Sequence, residues 1–330
     1  MRKLVSVVVF TILVIFSFHV EGQGRYTLVI HGGSGNISRE RMSVVQEEAY
    51  LAKLNEALEA GEAILKEGGG SLDAVVAAIM VLEDSPLFNA GKGAVFNFEG
   101  RNELDASIMD GRTLQAGAVA GITNVKNPIT AARKVMEHSP HVMLTGRGAE
   151  QFAFEQGLEI VDPSYFFDQR RWDQYREYLR NNTQFRGAVE TDYKMGTVGA
   201  VALDVEGNLS AATSTGGMTG KRFGRIGDSP IIGAGTYANN QSCAISATGH
   251  GEYFIRNVVA YDVSAQMLYL GKSLEEAANY IILDKLKEQG GDGGIIAVDH
   301  EGNVAMPFNT TGMFRGFVKS TGETEVKIFQ

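Results

Sequence analysis

The amino-acid sequence predicts a layered α/β protein. Three observations support this prediction: a strand-like apolar segment near the N-terminus, helical periodicity through the first half, and two hairpin-like patterns separated by helices in the second half. Strands and helices that each carry an apolar face must bury those faces against one another in layers. Periodicity alone leaves the order of the layers open.

The first half of the chain contains one predicted strand followed by helices. Residues 26–30 (YTLVI) are mainly apolar and run into a glycine-rich turn, which is typical of a buried strand. Apolar residues recur at helical spacing over residues 44–65, and the glycines at 68–70 end that pattern. We expect Ser71 to cap a second helix that reaches Leu82. Further helical patterns occupy about 129–137 and 147–155.

Residues 157–196 show no clear period and are rich in aromatic and charged side chains. A structureless stretch of this length is uncommon inside a compact domain, so we expect it to be functional or disordered. We interpret it as an exposed, cleavable linker that ends at Gly196.

The second half of the chain contains the two predicted hairpins. The strand pattern that begins at Thr197 continues to Asp204, turns at residues 206–208 and returns to Thr215. A second hairpin is predicted around the turn at 300–303. Two helices, at about 252–269 and 274–289, lie between the hairpins.

The composition indicates a globular chain of 330 residues, of which 44% are hydrophobic. The formal charge of −9 argues against a nucleic-acid partner, because an acidic protein cannot readily neutralise a phosphate backbone. We interpret the basic pair Arg170 and Arg171 as a solvated surface segment. The single cysteine, Cys243, excludes an intrachain disulfide.

The N-terminus has the pattern of a secretory signal. Arg2 and Lys3 precede an apolar run over residues 4–18, and residues 20–22 suit cleavage before Gln23. We therefore predict a signal peptide at residues 1–22 and an exported protein, periplasmic or secreted, without a stable membrane anchor. The run is shorter than the roughly 20 residues that a spanning helix needs, and an uncleaved anchor is the alternative.

Cleavage of the bond between Gly196 and Thr197 would give the chain a catalytic group. A threonine within an intact strand has a hydroxyl but no base of its own. As the first residue of a new chain, Thr197 would carry an α-amine with a pKa of about 7.7–8.0 close to its own Oγ. That amine could accept the hydroxyl proton, which is a known form of nucleophilic catalysis. An ordinary β-branched strand residue is the alternative reading from the residues alone.

Seven ordered runs across the chain resemble the plant-type asparaginase and isoaspartyl peptidase family of N-terminal nucleophile hydrolases. Their order makes them far more specific than one glycine-rich motif. They are residues 31–35 (HGGSG), 86–91 (PLFNAG), 196–200 (GTVGA), 213–217 (TSTGG), 224–230 (GRIGDSP), 248–252 (TGHGE) and 307–309 (PFN).

The resemblance implies a four-layer αββα sandwich in which two facing sheets bury each other and helices cover both outer faces. It implies that residues 23–196 form an α subunit, that residues 197–330 form a β subunit, and that both belong to one folded domain. It also implies a dimer of such αβ units.

The resemblance further implies which residues act in catalysis. Thr197 would be the nucleophile, released by cleavage after Gly196, and Thr215 would steady its hydroxyl. Thr248 and Gly249 would form an oxyanion hole. From the residues alone, turn formation by Thr215 and helix capping by Thr248 are the alternatives.

Substrate binding is implied for four further residues. Arg225 would bind the substrate α-carboxylate, Asp228 the α-ammonium, and Gly251 would offer a carbonyl, while Asn89 would lie near the nucleophile. The His250 side chain is expected to face outward. An exposed salt bridge between Arg225 and Asp228 is the alternative.

The expected cofactor set is small. No cofactor is expected for catalysis, because the histidines show no metal-ligand spacing. The resemblance implies a structural Na⁺ or K⁺ bound by the main-chain carbonyls of Leu82, Glu83, Ser85, Phe88, Ala90 and Lys92.

The implied activity is the hydrolysis of L-asparagine to aspartate and ammonia and the cleavage of β-aspartyl peptides. Its substrates would be small molecules and short peptides that share an α-amino, α-carboxyl head. A glycosylasparaginase, which cleaves a sugar from asparagine, is one alternative. An exported binding protein that never processes itself is the other. Residues 216–217 and 248–252 look more like the peptidase branch.

Overall fold

The computed structural model of the chain describes residues 24–183 and 196–330. The predicted signal peptide lies outside the described residues, as do residues 184–195 of the predicted linker. In chain order the strands are β1 (Thr27–Gly35), β2 (Leu104–Asp110), β3 (Ala116–Ile122), β4 (Met143–Thr145), β5 (Val198–Leu203), β6 (Leu209–Thr215), β7 (Thr236–Ala238), β8 (Cys243–Gly249), β9 (Gly293–Asp299), β10 (Val304–Ala305), β11 (Gly312–Lys319) and β12 (Thr324–Phe329).

The helices fall into two groups, one before and one after the first hairpin. They are α1 (Val44–Lys66), α2 (Ser71–Glu83), α3 (Pro128–His138), α4 (Gly146–Glu155), α5 (Gln169–Thr183), α6 (Gly251–Asn257), α7 (Val259–Leu270), α8 (Leu274–Asn279) and α9 (Leu286–Glu288). A π-helical segment, Tyr280–Lys285, joins α8 to α9. Within the described ranges, no helix is both long and apolar enough to cross a bilayer.

Two β-sheets form the centre of the fold. The larger has eight strands in the order β12-β11-β1-β5-β6-β2-β3-β4, and the smaller has four in the order β10-β9-β8-β7. Strand β1 pairs with both β5 and β11, so residues before and after Gly196 share the larger sheet. The start of β5, and with it Thr197, therefore lies beside the first strand of the chain.

Alternation along the strands separates the layers. In β1, Leu28 and Ile30 join a core that α1, α2, α3 and α4 cover, whereas Val29 points into a second core between the sheets. Ile296 and Val298 of β9 enter that middle core from the smaller sheet. Helices α6, α7, α8 and α9 cover the outer face of the smaller sheet. The layer order is αββα, as the family resemblance implied.

The exposed-loop prediction was wrong for residues 157–183. These residues include a 3₁₀ turn, Pro163–Phe166, and helix α5. Trp172 and Tyr175 lie one turn apart on α5, and both rings pack against Phe96. Arg171 is only 2% exposed, so the interpretation of the basic pair as solvated was also wrong. The inward face of α5 carries a guanidinium and amphipathic aromatic rings, which conceal its period in the sequence.

Helix boundaries differ from prediction at three places. Helix α2 starts at Ser71 itself, and the Ser71 hydroxyl bonds the Ser210 hydroxyl at 2.8 Å rather than capping the helix. The predicted helix over 252–269 breaks at Val258, whose φ of +49° lies in the left-handed region between α6 and α7. The predicted helix over 274–289 contains the π-helical segment.

Candidate active site

A pocket opens at the start of β5, between the two sheets. Seven of the predicted site residues line it: Asn89, Gly196, Thr197, Thr215, Arg225, Asp228 and Gly249. The other two, Thr248 and Gly251, lie directly behind this wall. A Cβ built on Gly251 would lie 2.8 Å from Arg225 Nη2 and 2.9 Å from Asp228 Oδ1. Thus all nine residues predicted for catalysis, cleavage and substrate binding are in or next to one pocket.

Thr197 sits at the base of the pocket and is 7% exposed. Its Oγ1 donates a hydrogen bond to Thr215 Oγ1 at 3.2 Å. Thr215 Oγ1 also accepts from the Gly217 amide at 3.0 Å, so the turn after β6 fixes the position of this acceptor. Ser229 Oγ lies 3.4 Å from Thr197 Oγ1. Ser229 was not predicted as a site residue, although it directly follows Asp228 in the run at 224–230.

Thr248 lies beside the bond between Gly196 and Thr197. A Cβ built on Gly196 would lie 2.6 Å from Thr248 Oγ1, and Thr248 Oγ1 accepts a hydrogen bond from the Ser34 amide at 3.2 Å. Thr248 belongs to β8, so the helix-cap alternative for this residue was wrong. An oxygen that already accepts from Ser34 can still donate its own hydrogen to a neighbouring carbonyl.

Arg225 forms an ion pair with Glu252, which was not predicted from the sequence. Its Nε and Nη2 donate to the two carboxylate oxygens of Glu252 at 2.9 and 2.8 Å. His250 Nε2 lies 3.3 Å from the same carboxylate. His250 lines the pocket, and its partly exposed side chain contacts Glu252, so the expectation of an outward-facing side chain stays a prediction. Glu252 closes the run at 248–252, which was the only sequence signal for it.

Asp228 is buried next to this ion pair. It is 3% exposed, and burial raises the pKa of its carboxyl to about 7. Its Oδ2 has no hydrogen-bond partner among the described residues. Arg225 pairs with Glu252 and Asp228 is buried, so the alternative of an exposed salt bridge between Arg225 and Asp228 was wrong. A buried carboxyl oxygen without a partner is suited to a cationic ligand group.

Asn89 connects two walls of the pocket. Its Nδ2 donates to the Gly217 carbonyl at 2.7 Å, and its Oδ1 accepts from the Val95 amide at 3.0 Å. The loop that carries Asn89 is held from outside by α5. There Arg171 Nε donates to the Gly93 carbonyl at 2.8 Å, and Arg170 Nη2 donates to the Pro86 carbonyl at 2.7 Å. Helix α5 thus supports the pocket although it does not line it.

A buried ion pair supports the turn after β6. Lys221 Nζ lies 3.8 Å from Asp105 Oδ2 and 3.7 Å from Glu103 Oε2, and the Lys221 side chain is 1% exposed. A Cβ built on Gly217 would lie 3.0 Å from Lys221 Nζ. Lys221 and Asp105 therefore lie next to the pocket wall. Neither residue was predicted from the sequence.

The loop implied to bind an alkali ion is tightly folded. A Cβ built on Gly91 would lie 2.4 Å from the Glu83 carbonyl oxygen, and one built on Gly93 would lie 2.0 Å from that of Phe88. Two of the implied carbonyl oxygens therefore lie close to the short 3₁₀ turn Gly91–Gly93, and oxygen ligands of this kind suit a hard ion. Within the described residues, no cluster of His, Cys, Asp or Glu side chains is arranged to hold a metal.

The comparison with known proteins agrees with this geometry. A family model described as Asparaginase matches residues 24–328. The chain belongs to this asparaginase family. The Isoaspartyl peptidase of Escherichia coli K12 is 52% identical over 309 residues, which cover 92% of this chain and 96% of that protein. The Isoaspartyl peptidase of Salmonella typhimurium is also 52% identical, over 91% of this chain and 97% of its own.

A vertebrate member of the asparaginase family is similar over almost the same length. The Isoaspartyl peptidase/L-asparaginase of Danio rerio is 42% identical over 289 residues, which cover 87% of this chain and 90% of that protein. The predictions of the family, of its hydrolase class and of the layered sandwich are thereby confirmed. The roles of single site residues stay predictions.

Proposed function

We propose that the chain is a self-processing amidohydrolase that converts L-asparagine to aspartate and ammonia and cleaves β-aspartyl peptides. One observation carries the proposal: Thr197, Arg225 and the partnerless oxygen of Asp228 line the same pocket. A nucleophile and a binding site for the α-amino and α-carboxyl groups of an amino acid thus line the same pocket. Family membership and the names of the relatives support the same chemistry.

Maturation would use Thr197 on its own peptide bond. Thr197 Oγ attacks the Gly196 carbonyl carbon, the bond from that carbon to the Thr197 nitrogen breaks, and the nitrogen takes up the hydroxyl proton. Water then hydrolyses the resulting ester, which frees the hydroxyl and leaves an α-amine at Thr197. Thr248 Oγ1, beside Gly196, would donate to the carbonyl oxygen as it gains negative charge.

Turnover would repeat this chemistry on the substrate. The Thr197 α-amine accepts the proton from Oγ1 while Oγ1 attacks the substrate β-carbonyl carbon. Thr215 Oγ1, 3.2 Å away, orients Thr197 Oγ1 and would donate its own hydrogen once the Thr197 proton has moved to the amine, and Thr248 and Gly249 stabilise the oxyanion. The leaving amine takes the proton as the amide bond breaks. Water then hydrolyses the β-aspartyl ester and regenerates Thr197.

Substrate recognition would depend on the shared head group. The guanidinium of Arg225 has N–H donors left on Nη1 after its two bonds to Glu252, and these would bind the α-carboxylate. Asp228 Oδ2 would bind the α-ammonium. Gly251 leaves room for these two side chains to approach each other, and its carbonyl would add an acceptor. Asn89 would complete the wall beside the nucleophile.

The proposal includes a structural alkali ion. The carbonyls of the loop would hold Na⁺ or K⁺ and so fix the segment that carries Asn89, while the ion takes no part in bond making. Thermal unfolding in NaCl, KCl and tetramethylammonium chloride tests this. A higher Tm in one of the alkali salts supports the site, and equal Tm values in all three contradict it.

The proposal also includes export and pairing of αβ units. The family match begins at residue 24, directly after the leader-like segment, which supports a signal peptide that is separate from the enzyme. Fusion of residues 1–30 to alkaline phosphatase tests export through periplasmic activity. The dimer rests on the family resemblance, and sedimentation analysis of the processed protein tests it.

Intact mass spectrometry with N-terminal sequencing tests the central proposal, run beside a Thr197→Ala variant. We expect two fragments, with the second beginning at Thr197, and a single uncut chain from the variant. Ammonia release from L-asparagine, cleavage of a β-aspartyl dipeptide and cleavage of a glycosylasparagine are then compared. An uncut wild-type chain after prolonged incubation favours the binding-protein alternative, and preference for the glycosylated substrate favours a glycosylasparaginase.

A further inference from the structure

His31 is a fully buried histidine that contacts the main chain of the nucleophile. Its Nδ1 lies 3.1 Å from the Thr197 carbonyl oxygen and its Nε2 lies 3.0 Å from Ser246 Oγ. A carbonyl oxygen only accepts hydrogen bonds, so Nδ1 carries the hydrogen. Burial lowers the pKa of the ring to about 3, which makes it neutral, with Nε2 as an acceptor.

A row of buried hydroxyls continues from Ser246. Ser246 Oγ lies 2.6 Å from Thr213 Oγ1, which lies 2.5 Å from Thr236 Oγ1, which in turn lies 2.8 Å from Ser107 Oγ. We call His31 and these four residues the hydroxyl chain. Ser107 ends it, because its one hydrogen can instead be donated to the Ser229 carbonyl oxygen, which lies 2.6 Å from Ser107 Oγ.

The direction of the hydroxyl chain follows from the histidine. Each hydroxyl has a single hydrogen, and that of Ser246 is committed to His31 Nε2. Thr213 therefore donates to Ser246 at 2.6 Å in preference to the Gly235 carbonyl oxygen at 3.1 Å. Thr236 donates to Thr213 at 2.5 Å in preference to the Ser229 carbonyl oxygen at 3.4 Å. From Thr236 onward every bond points toward the Thr197 carbonyl, an arrangement in which neighbouring bonds polarise one another.

The hydroxyl chain crosses both sheets, with members on β1, β8, β6, β7 and β2. All five side chains are 0% exposed. Apolar residues of similar size would pack the sheets without the desolvation cost of buried polar groups, so packing alone does not account for this row. Its one contact with the candidate active site at the histidine end is the Thr197 carbonyl.

Gly199 provides independent evidence that the contact is built into the fold. A Cβ on Gly199 would lie 2.0 Å from Ser246 Oγ and 2.3 Å from His31 Nε2. Any side chain there would push the hydroxyl and the ring apart. Glycine at this strand position is therefore what leaves space for the His31–Ser246 hydrogen bond.

We propose that His31 is a positioning residue of the reaction, which holds the Thr197 carbonyl while the hydroxyl chain behind it fixes the hydrogen on Nδ1. The inference rests on the proposed function. After cleavage, Thr197 is a chain terminus, and termini fray unless they are tied down. Its amine and hydroxyl keep their positions only if the residue cannot turn. A misplacement of about 1 Å can lower a rate by about 100-fold.

Two substitutions of His31 distinguish a role in positioning Thr197 from a role in packing alone. The Asn side-chain nitrogen can occupy the place of Nδ1, so His31→Asn keeps the donor to Thr197. His31→Gln reaches Ser246 but loses that donor. For the processed enzymes, we expect kcat for β-aspartyl dipeptide cleavage to fall about 10- to 100-fold in His31→Gln, with KM nearly unchanged, and to recover substantially in His31→Asn. Equal loss in both variants overturns the inference.

Thr213→Val breaks the hydroxyl chain without changing the shape of the side chain. The control is Thr27→Val, because Thr27 is also a buried strand residue but its hydroxyl has no partner among the described residues. We expect kcat to fall in Thr213→Val and not in Thr27→Val.

Gly199→Ala and Gly148→Ala form a second pair of test and control variants, since a Cβ on Gly148 meets nothing within 4 Å. Unchanged kcat in both Thr213→Val and Gly199→Ala contradicts the positioning role.

Ring ¹⁵N chemical shifts of histidine-labelled protein test the hydrogen placement without any assay of activity. The His31 signal is assigned by its absence from His31→Asn, and at pH 7 we expect a neutral ring with hydrogen on Nδ1. A ring with hydrogen on Nε2, or a charged ring, overturns the inference. Failure of the proposed function is seen separately, as a wild-type protein that hydrolyses none of the substrates whatever the state of the ring.

Discussion

Gly33 lies directly against Gly196, the residue before the candidate nucleophile. A Cβ built on Gly33 would lie 2.6 Å from Gly196 Cα, and a Cβ built on Gly196 would lie 2.5 Å from Gly33 Cα. Gly33 also has a φ of +109°, which side chains rarely tolerate. The glycine-rich end of β1 therefore forms one wall around the scissile bond, with Thr248 on another side.

We predict that Gly33→Ala slows self-cleavage by at least about 100-fold, because the methyl group displaces the Gly196 backbone from the Thr197 hydroxyl by roughly 1 Å. The appearance of a fragment beginning at Thr197 is followed by mass spectrometry after synthesis at low temperature. Gly148→Ala is the control, since it adds the same group where there is open space. Wild-type cleavage in Gly33→Ala would show that the close contact does not matter.

The second prediction concerns the pH dependence of substrate binding. Burial raises the pKa of Asp228 to about 7, with Arg225 opposing this shift and Glu252 and Asp105 adding to it. Below that pH the carboxyl is protonated and no longer attracts an α-ammonium. We expect KM for L-asparagine to rise about tenfold per pH unit below pH 7, since one pKa unit corresponds to a tenfold change in occupancy.

Succinamic acid provides the control, because it has the same amide and carboxylate but no α-ammonium. Its KM should fall, not rise, as the pH is lowered through 7, since protonation removes an unpaired buried charge beside it. An Asp228→Asn variant should lose both trends. Parallel pH profiles for the two substrates would assign the pH effect to the Thr197 amine instead.

The third prediction concerns Glu252, which binds two nitrogens of Arg225 and so aims the remaining donors into the pocket. We expect Glu252→Gln to raise KM for substrates with an α-carboxylate by about tenfold, with a smaller effect on kcat, because a bidentate pair is lost. Asp262→Asn, which breaks the surface pair with Lys285, is the control. A lower KM in Glu252→Gln would mean that Glu252 competes with the substrate rather than orienting Arg225.

The sequence predicted those parts of the fold in which the pattern and the environment agree. Strands β1 and β5 are buried on both faces, and apolar runs at residues 28–30 and 198–203 mark them in the sequence. Helix α1 has a clear helical period that ends at glycines. The pocket residues were identified because they lie within short ordered motifs. A resemblance of motifs gives the position of a residue such as Arg225, but not which partner holds it.

The parts that the sequence did not predict depend on register and long-range contact. Thr213, Thr236 and Ser246 are ordinary polar strand residues in the sequence, and only the pairing of two sheets places their oxygens in a row. Arg171 is buried because aromatic neighbours and the Gly93 carbonyl surround it, which no local pattern records. Propensity and period describe one element at a time, whereas these contacts join several.

The last prediction concerns stability and a second buried carboxyl. Glu83 ends α2, accepts hydrogen bonds from Ser214 Oγ at 2.6 Å and the Ile129 amide at 3.1 Å, and is 0% exposed. Burial raises its pKa from 4.5 to about 8 against those bonds. The unfolded chain therefore loses this proton near pH 4.5, whereas the folded protein keeps it to about pH 8.

A pKa that is higher in the folded state means that stability is present at low pH and is lost as the pH rises toward 8, by up to about 1.4 kcal/mol per pH unit. Glutamine cannot lose a proton, and its oxygen can accept the same two bonds. In the uncut Thr197→Ala background, the Tm of Glu83→Gln relative to its parent should therefore be higher at pH 8.5 than at pH 5. Exposed Glu59→Gln on α1 should show no such trend. If the Glu83→Gln difference is the same at both pH values, the buried carboxyl is ionised in the folded protein throughout, held by Ser214 and the start of α3.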